Sequence, residues 1–157
     1  NVSELHNNVG LVFLAQGEKR DAIKSFRRAI ELNSKDAAAA ANLGAIYTSE
    51  KDYTKALVAL ELAQKKYSKD PRVLNNYGIA LTAVGKYKDA KEAYKEAVKL
   101  DGSNKEAPLN YAILLIDHTN EPNEGLEIIN KLRFLGPSPE ARNRINTLEN
   151  KAKSGLK

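Results

Sequence analysis

The sequence predicts an all-α fold, a solenoid of antiparallel helix pairs with about nine helices. Three observations predict it. Asn8, Asn42, Asn76 and Asn110 recur every 34 residues, and Gly10, Gly44 and Gly78 follow two positions later, with Ala112 in the fourth copy. A second set of columns keeps the same period: Ala22, Ala56 and Ala90; Phe26, Leu60 and Tyr94; Ala29, Ala63 and Ala97. Within each unit the apolar residues fall at helical spacing in two runs separated by a turn, as in Leu74, Tyr77, Leu81 and Val84 followed by Ala90, Ala93, Tyr94, Ala97 and Val98. A fixed period in this range marks stacked supersecondary units that bury a shared core.

The elements follow in order. The spacing predicts helices near 4–16, 20–33, 37–49, 54–67, 71–83 and 88–100. First helices stop near a glycine such as Gly17 or Gly85, where a left-handed residue ends the helix without a Cβ clash. Second helices carry one apolar face and one lysine-rich face, so they must pack on neighbours. Ser or Asp before each first helix is a good N-cap, and Pro71 after Asp70 suits the first helical position. The linker itself recurs, as Ser34-Lys35-Asp36 and Ser68-Lys69-Asp70. Gly and Ala in fixed columns let the paired backbones approach closely.

The fourth copy starts in register at Lys105 and keeps Asn110 and Tyr111. Its turn, Asp117-His118-Thr119-Asn120-Glu121-Pro122-Asn123, is longer, and Gly125 takes the small-residue column one place late, which implies a one-residue insertion. Its second helix is expected near 123–135. Ser138-Pro139-Glu140 then opens a last helix with Ala141, Ile145, Leu148 and Ala152 on one face. The polar outer face of that helix is what a terminal unit needs to shield the core.

The chain's 157 residues correspond to one domain of ordinary composition. Zero cysteines exclude disulfides, thiolate metal sites and thiol catalysis. No apolar run approaches the roughly 18 residues a membrane span needs, so no membrane insertion by this segment is expected. The absence of Met points to a processed protein or a domain of a longer chain, in a compartment that the composition leaves open between the cytoplasm and a bacterial envelope. The formal charge of +5 invites nucleic acid, but the charges are interleaved. Lys86 through Glu96 sets opposite charges three and four residues apart, the pattern of a solvated helix face. Nucleic acid is therefore not expected as a partner.

A 34-residue helix-turn-helix unit with Gly at its eighth position, Ala at its twentieth, a large apolar residue at its twenty-fourth and Ala at its twenty-seventh resembles the tetratricopeptide repeat (TPR) family. Counted from Ser3, the resemblance gives repeats at 3–36, 37–70 and 71–104, an irregular fourth repeat at 105–136 and a capping helix at 138–153, all in one domain over 1–157. The chain departs from the family's Trp at the fourth position, where it has His6, Ala40, Leu74 and Pro108, and from its Pro at position 32. The resemblance implies a right-handed superhelix with a concave face lined by first helices, and a function in holding peptides or partner proteins.

On that implied face, position six is the ladder Asn8, Asn42, Asn76 and Asn110, and position nine is Leu11, Ala45, Ile79 and Ile113. A carboxamide both donates and accepts, so an Asn column suits an extended main chain. The structural alternative is that these amides only tie helices together. Positions two and five add Glu4, Asn7, Ala38, Ala41, Arg72, Asn75, Glu106 and Leu109. Small side chains at Ala38, Ala41 and Ala45 leave a hollow for a bulky partner residue, or else allow tight packing. One subgroup of the family grips C-terminal carboxylates with a set of Lys, Asn and Arg. Here Asn7, Leu11 and Asn76 stand where three of those residues are expected, so that grip is absent.

An enzyme is not expected. His6 lies in a packing column and His118 in the fourth turn, each without a second positioned group for acid–base work. No metal or other cofactor is expected. The expected function is a protein-interaction scaffold whose groove residues are Asn8, Leu11, Ala38, Asn42, Ala45, Arg72, Asn76, Ile79, Asn110 and Ile113. Self-association through a repeat edge or the groove is the competing reading, and nucleic-acid binding by the convex lysines a more distant one.

Overall fold

The computed structural model describes residues 1–155. Among them lie nine α-helices and no strand: α1 Val2–Ala15, α2 Lys19–Leu32, α3 Ala37–Ser49, α4 Tyr53–Gln64, α5 Pro71–Ala83, α6 Tyr87–Leu100, α7 Glu106–Asp117, α8 Pro122–Phe134 and α9 Pro139–Gly155. Each odd-numbered helix up to α7 packs on the helix after it. Odd helices also touch one another in sequence, α3 on α5, α5 on α7 and α7 on α9. The result is an all-α solenoid with one layer of first helices and one of second helices.

Close packing within a pair explains the glycine column. A Cβ on Gly10, Gly44 or Gly78 would stand 2.6 Å from the Phe26 ring, the Leu60 side chain or the Tyr94 ring respectively. Those three large side chains are buried in the space that glycine leaves. The fourth pair reverses the arrangement. Ala112 replaces the glycine on α7, and Gly125 on α8 instead admits Ile116 of α7, 2.6 Å from where its Cβ would be.

The turns confirm the insertion in the fourth unit. Gly17, Lys51 and Gly85 take positive φ at the same place after their first helices, and the fourth unit does so at Asn120, one residue late. With that shift Gly125, Ile129 and Leu132 occupy the three buried second-helix columns.

The helix ends depart from expectation in physically informative ways. Ser3 is not a cap: Asn1 caps α1, while Ser3 is buried inside the helix with its single hydroxyl proton shared between the Asp36 carboxylate and the Ala29 carbonyl, the latter at 3.1 Å. Asp36 and Asp70 cap α3 and α5 as expected. The N–H groups of Glu106 and Ala107 are instead capped by the Asn104 side chain. α4 stops at Gln64, not near 67: Lys65 and Lys66 form a turn in which the N–H groups of both Lys66 and Tyr67 reach the Ala63 carbonyl, at 3.2 and 2.9 Å. α9 runs to Gly155, beyond 153.

A charge cluster fastens α8 to α6 and α7. Lys91 pairs with Glu121 and, at 3.0 Å, with Glu124, and the Tyr111 hydroxyl donates to Glu124 at 2.5 Å. The Lys91 hydrogen bond holds the Glu121 carboxyl below its ordinary range. The Tyr111 hydroxyl does the same for Glu124, aided by Lys91. His118, in the long turn, stacks on Tyr87 with ring centroids 5.0 Å apart.

Candidate functional site

The first helices present their fifth and sixth positions to one another across the solenoid, and this fixes what the Asn columns do. Asn42 of α3 donates its side-chain amide to Asn7 of α1 at 3.0 Å, and Asn110 of α7 donates to Asn75 of α5 at 3.1 Å. Asn7 and Asn75 are buried. Burying an amide without a partner costs about 1–3 kcal/mol, so each bridge is a structural tie between adjacent units. Between α3 and α5 the pattern breaks. The residue opposite Asn76 is Ala41, and Asn76 makes no side-chain hydrogen bond to the described residues. No buried side-chain nitrogen or oxygen among them lacks a partner, so the unpaired amide of Asn76 is reached by solvent.

The same alanine helps open space. A pocket of about 390 Å³ lies on the first-helix face, with Ala38, Ala41 and Ala45 of α3 between Leu11 of α1 and Val73 of α5. Asn7, Asn42, Asn76 and Arg72 bring polar groups to it. Tyr67 and Asp70, from the linker before α5, close one side. Ala38 and Ala41 are half-buried and Ala45 exposed. Short side chains leave the hollow: the Ala45 column holds Leu11, Ile79 and Ile113 in the other first helices, and the Ala41 column holds Asn7, Asn75 and Leu109.

Arg72 is not a free cation. Its guanidinium pairs with Asp70 at 3.0 Å. Burial works to raise the Asp70 carboxyl, but the hydrogen bonds from Arg72 outweigh it and hold that carboxyl below its ordinary range. Asp70 also accepts the Arg72 and Val73 backbone N–H groups as cap of α5, so its charge is committed to the fold.

Of the residues singled out from sequence, Leu11, Ala38, Asn42, Ala45, Arg72 and Asn76 meet at this one pocket. Asn8 lines an adjoining depression with Ala38, Lys35 and Lys66. Ile79, Asn110 and Ile113 lie apart from it: Asn110 is held in the bridge to Asn75, and the two isoleucines are half-buried against the cores of the third and fourth pairs. Tyr67, Lys66 and Val73 were missed. For Tyr67 the signal was present, an aromatic in a linker column that otherwise holds Asn33 and Asp101.

Other surfaces have different chemistry. On the second-helix side, Ile30, Leu43, Tyr47 and Leu62 line an apolar cleft of about 430 Å³ beside exposed Val58. On α1, Val2, Leu5, Val9 and Val12 form an exposed apolar stripe. The columns of Leu5, Val9 and Val12 are buried in α3 as Ala39, Leu43 and Ile46. Among the described residues no three His, Cys, Asp or Glu side chains gather into a metal-binding group, and no helix is long and apolar enough to cross a membrane.

Comparison with known proteins adds family and fold. Two family models, both described as tetratricopeptide repeat, match residues 10–71 and 81–148. No curated protein matches the chain in sequence. Among solved structures, a MamA protein superposes with a TM-score of 0.80 at 15% identity, covering 99% of this chain and 88% of its own. MamA from Desulfovibrio magneticus RS-1 gives 0.76 at 21% identity, covering 85% of this chain and 75% of that one. The Pseudomonas aeruginosa pilF structure gives 0.76 at 23% identity, covering 98% of this chain and 73% of that one. At these identities the likeness is one of fold.

Proposed function

This chain belongs to the tetratricopeptide repeat family, and from that premise we propose that its first-helix groove holds a segment of a partner protein or peptide. Read this way, residues 1–157 form one domain of three regular repeats (3–36, 37–70 and 71–104), an irregular fourth (105–136) and a C-terminal cap. The observation that carries the reading is the break at Ala41. It leaves the Asn76 amide unpaired at the edge of an apolar pocket, where a donor and an acceptor are both on offer to an extended main chain. Asn8, Leu11, Ala38, Asn42, Ala45 and Arg72 contribute in or beside that pocket. Ile79, Asn110 and Ile113 extend the same face and contribute less, because the Asn110 side chain is already bound to Asn75.

The test is site-specific photo-crosslinking from two exposed positions on opposite faces, Ala45 in the groove and Val58 on the second-helix side. The proposal expects the partner to be captured from Ala45 and not from Val58. Capture from Val58 alone would place the interaction on the outer helices.

Self-association is a second reading, favoured by the apolar stripe on α1. Its signature is a molar mass that rises with protein concentration in light scattering and returns to that of one chain with Leu5→Glu.

A further inference from the structure

Resting on the groove reading, we propose that the occupant is an acidic peptide segment that seats one bulky apolar side chain on the alanine floor. Two independent features lead there, the shape of the pocket and the charge of its rim.

The pocket's volume of about 390 Å³ falls within the range of ligand-sized clefts, roughly 300–1,000 Å³. Its floor is methyl groups, and Leu11, Val73 and the Tyr67 ring stand around it. A polar or small partner residue would leave that apolar surface wet or empty. A Phe, Trp or Leu would remove it from water, the usual way in which one anchor dominates an interface.

The rim is basic on the side where the linkers run. Lys35 lines the depression beside Asn8, while Lys66 and Lys69 line another beside Arg72. None of these three lysines forms an ion pair among the described residues. The nearby carboxylates do not answer them: Asp36 caps α3 and accepts from Ser3, and Asp70 caps α5 and holds Arg72. Glu4 is the acidic side chain that shares their side of the groove. Lys66 sits 5.8 Å above the Tyr67 ring centroid, which puts a cation directly beside the pocket wall. Carboxylates flanking the anchor therefore meet Lys35, Lys66 and Lys69, whereas a basic segment would meet like charge and leave the lysines unanswered.

A random peptide library displayed on phage, selected against the whole chain, tests this. Selections run in parallel on Ala45→Leu and on the double variant Lys66→Glu, Lys69→Glu. Leucine already stands in the Ala45 column at Leu11 and both lysines are exposed, so the variants should fold, which circular dichroism checks. The expected result is enrichment of a large apolar residue flanked by Asp and Glu. Affinity of the selected peptide should fall at least tenfold with Ala45→Leu or with its anchor changed to Ala, and about fivefold with the charge reversal. No enrichment, enrichment without an apolar anchor, basic flanks, or indifference to Ala45→Leu would each overturn the proposal. Partner crosslinks at Ala45 combined with any of those outcomes would leave the groove reading standing and remove only this inference. Crosslinks from Val58 alone would remove both.

Discussion

Between α1 and α3, and again between α5 and α7, two side-chain amides close a hydrogen bond across the helix layer; between α3 and α5 one of the two is missing. The Asn column is regular in sequence and yet does two jobs. Where its neighbour is Asn7 or Asn75, it ties repeats together. Where the neighbour is Ala41, the same carboxamide is left over, and the shorter side chain deepens the groove beside it. A repeated residue is thus assigned its role by what faces it, one unit away.

The sharpest way to break this distinction is to remove a buried amide. Asn75→Ala strips Asn110 of its acceptor and should destabilise the chain by about 1–2 kcal/mol in denaturant unfolding, with partner affinity little changed. Closing the open place comes next. Ala41→Asn faces Asn76 with the partner that the other bridges have and narrows the pocket, so partner affinity should fall tenfold or more in calorimetry, about 1.4 kcal/mol, while stability is unchanged or slightly higher. Asn76→Ala should lower affinity about threefold to tenfold and change stability by under about 0.5 kcal/mol. Equal stability losses for Asn76→Ala and Asn75→Ala would dissolve the distinction.

Two further expectations extend the comparison beyond the amides. Lys51 takes positive φ where Gly17 and Gly85 stand in the neighbouring units. Lys51→Gly relieves that conformation and should stabilise the chain by about 0.5–1 kcal/mol, without effect on binding. The amide bridges carry no titrating group, whereas α8 is fastened through carboxylates. Glu121 and Glu124 both have lowered folded-state values, from the Lys91 and Tyr111 hydrogen bonds respectively. Their contribution is present above the ordinary glutamate range and lost as the pH falls through the lowered values. Hydrogen exchange should therefore show α8 loosening in acid before α3, a small effect because both carboxylates are partly exposed.

Much of the fold was legible because period and packing coincide. Gly10, Gly44 and Gly78 recur since each faces one large side chain, and that requirement is visible in a single strand of text. The starts of α3 and α5 follow from their Asp caps. The end of α4 was less legible: no glycine or proline marks it, and Lys65 and Lys66 form a turn although lysine favours helix. For the site, the alanine hollow could be read from side-chain size. The split within the Asn ladder could not, although Asn7, Ala41 and Asn75 were all in view. Pairing across 35 positions depends on how adjacent helices are offset, and the period alone does not give that offset.

The most direct measurement of the two roles is the side-chain amide spectrum of the chain, recorded by NMR as the partner crosslinked at Ala45 is added. The Asn76 amide resonances should shift while those of Asn110, held to Asn75 away from the pocket, stay in place. Shifts of Asn110 with Asn76 unmoved would contradict the account.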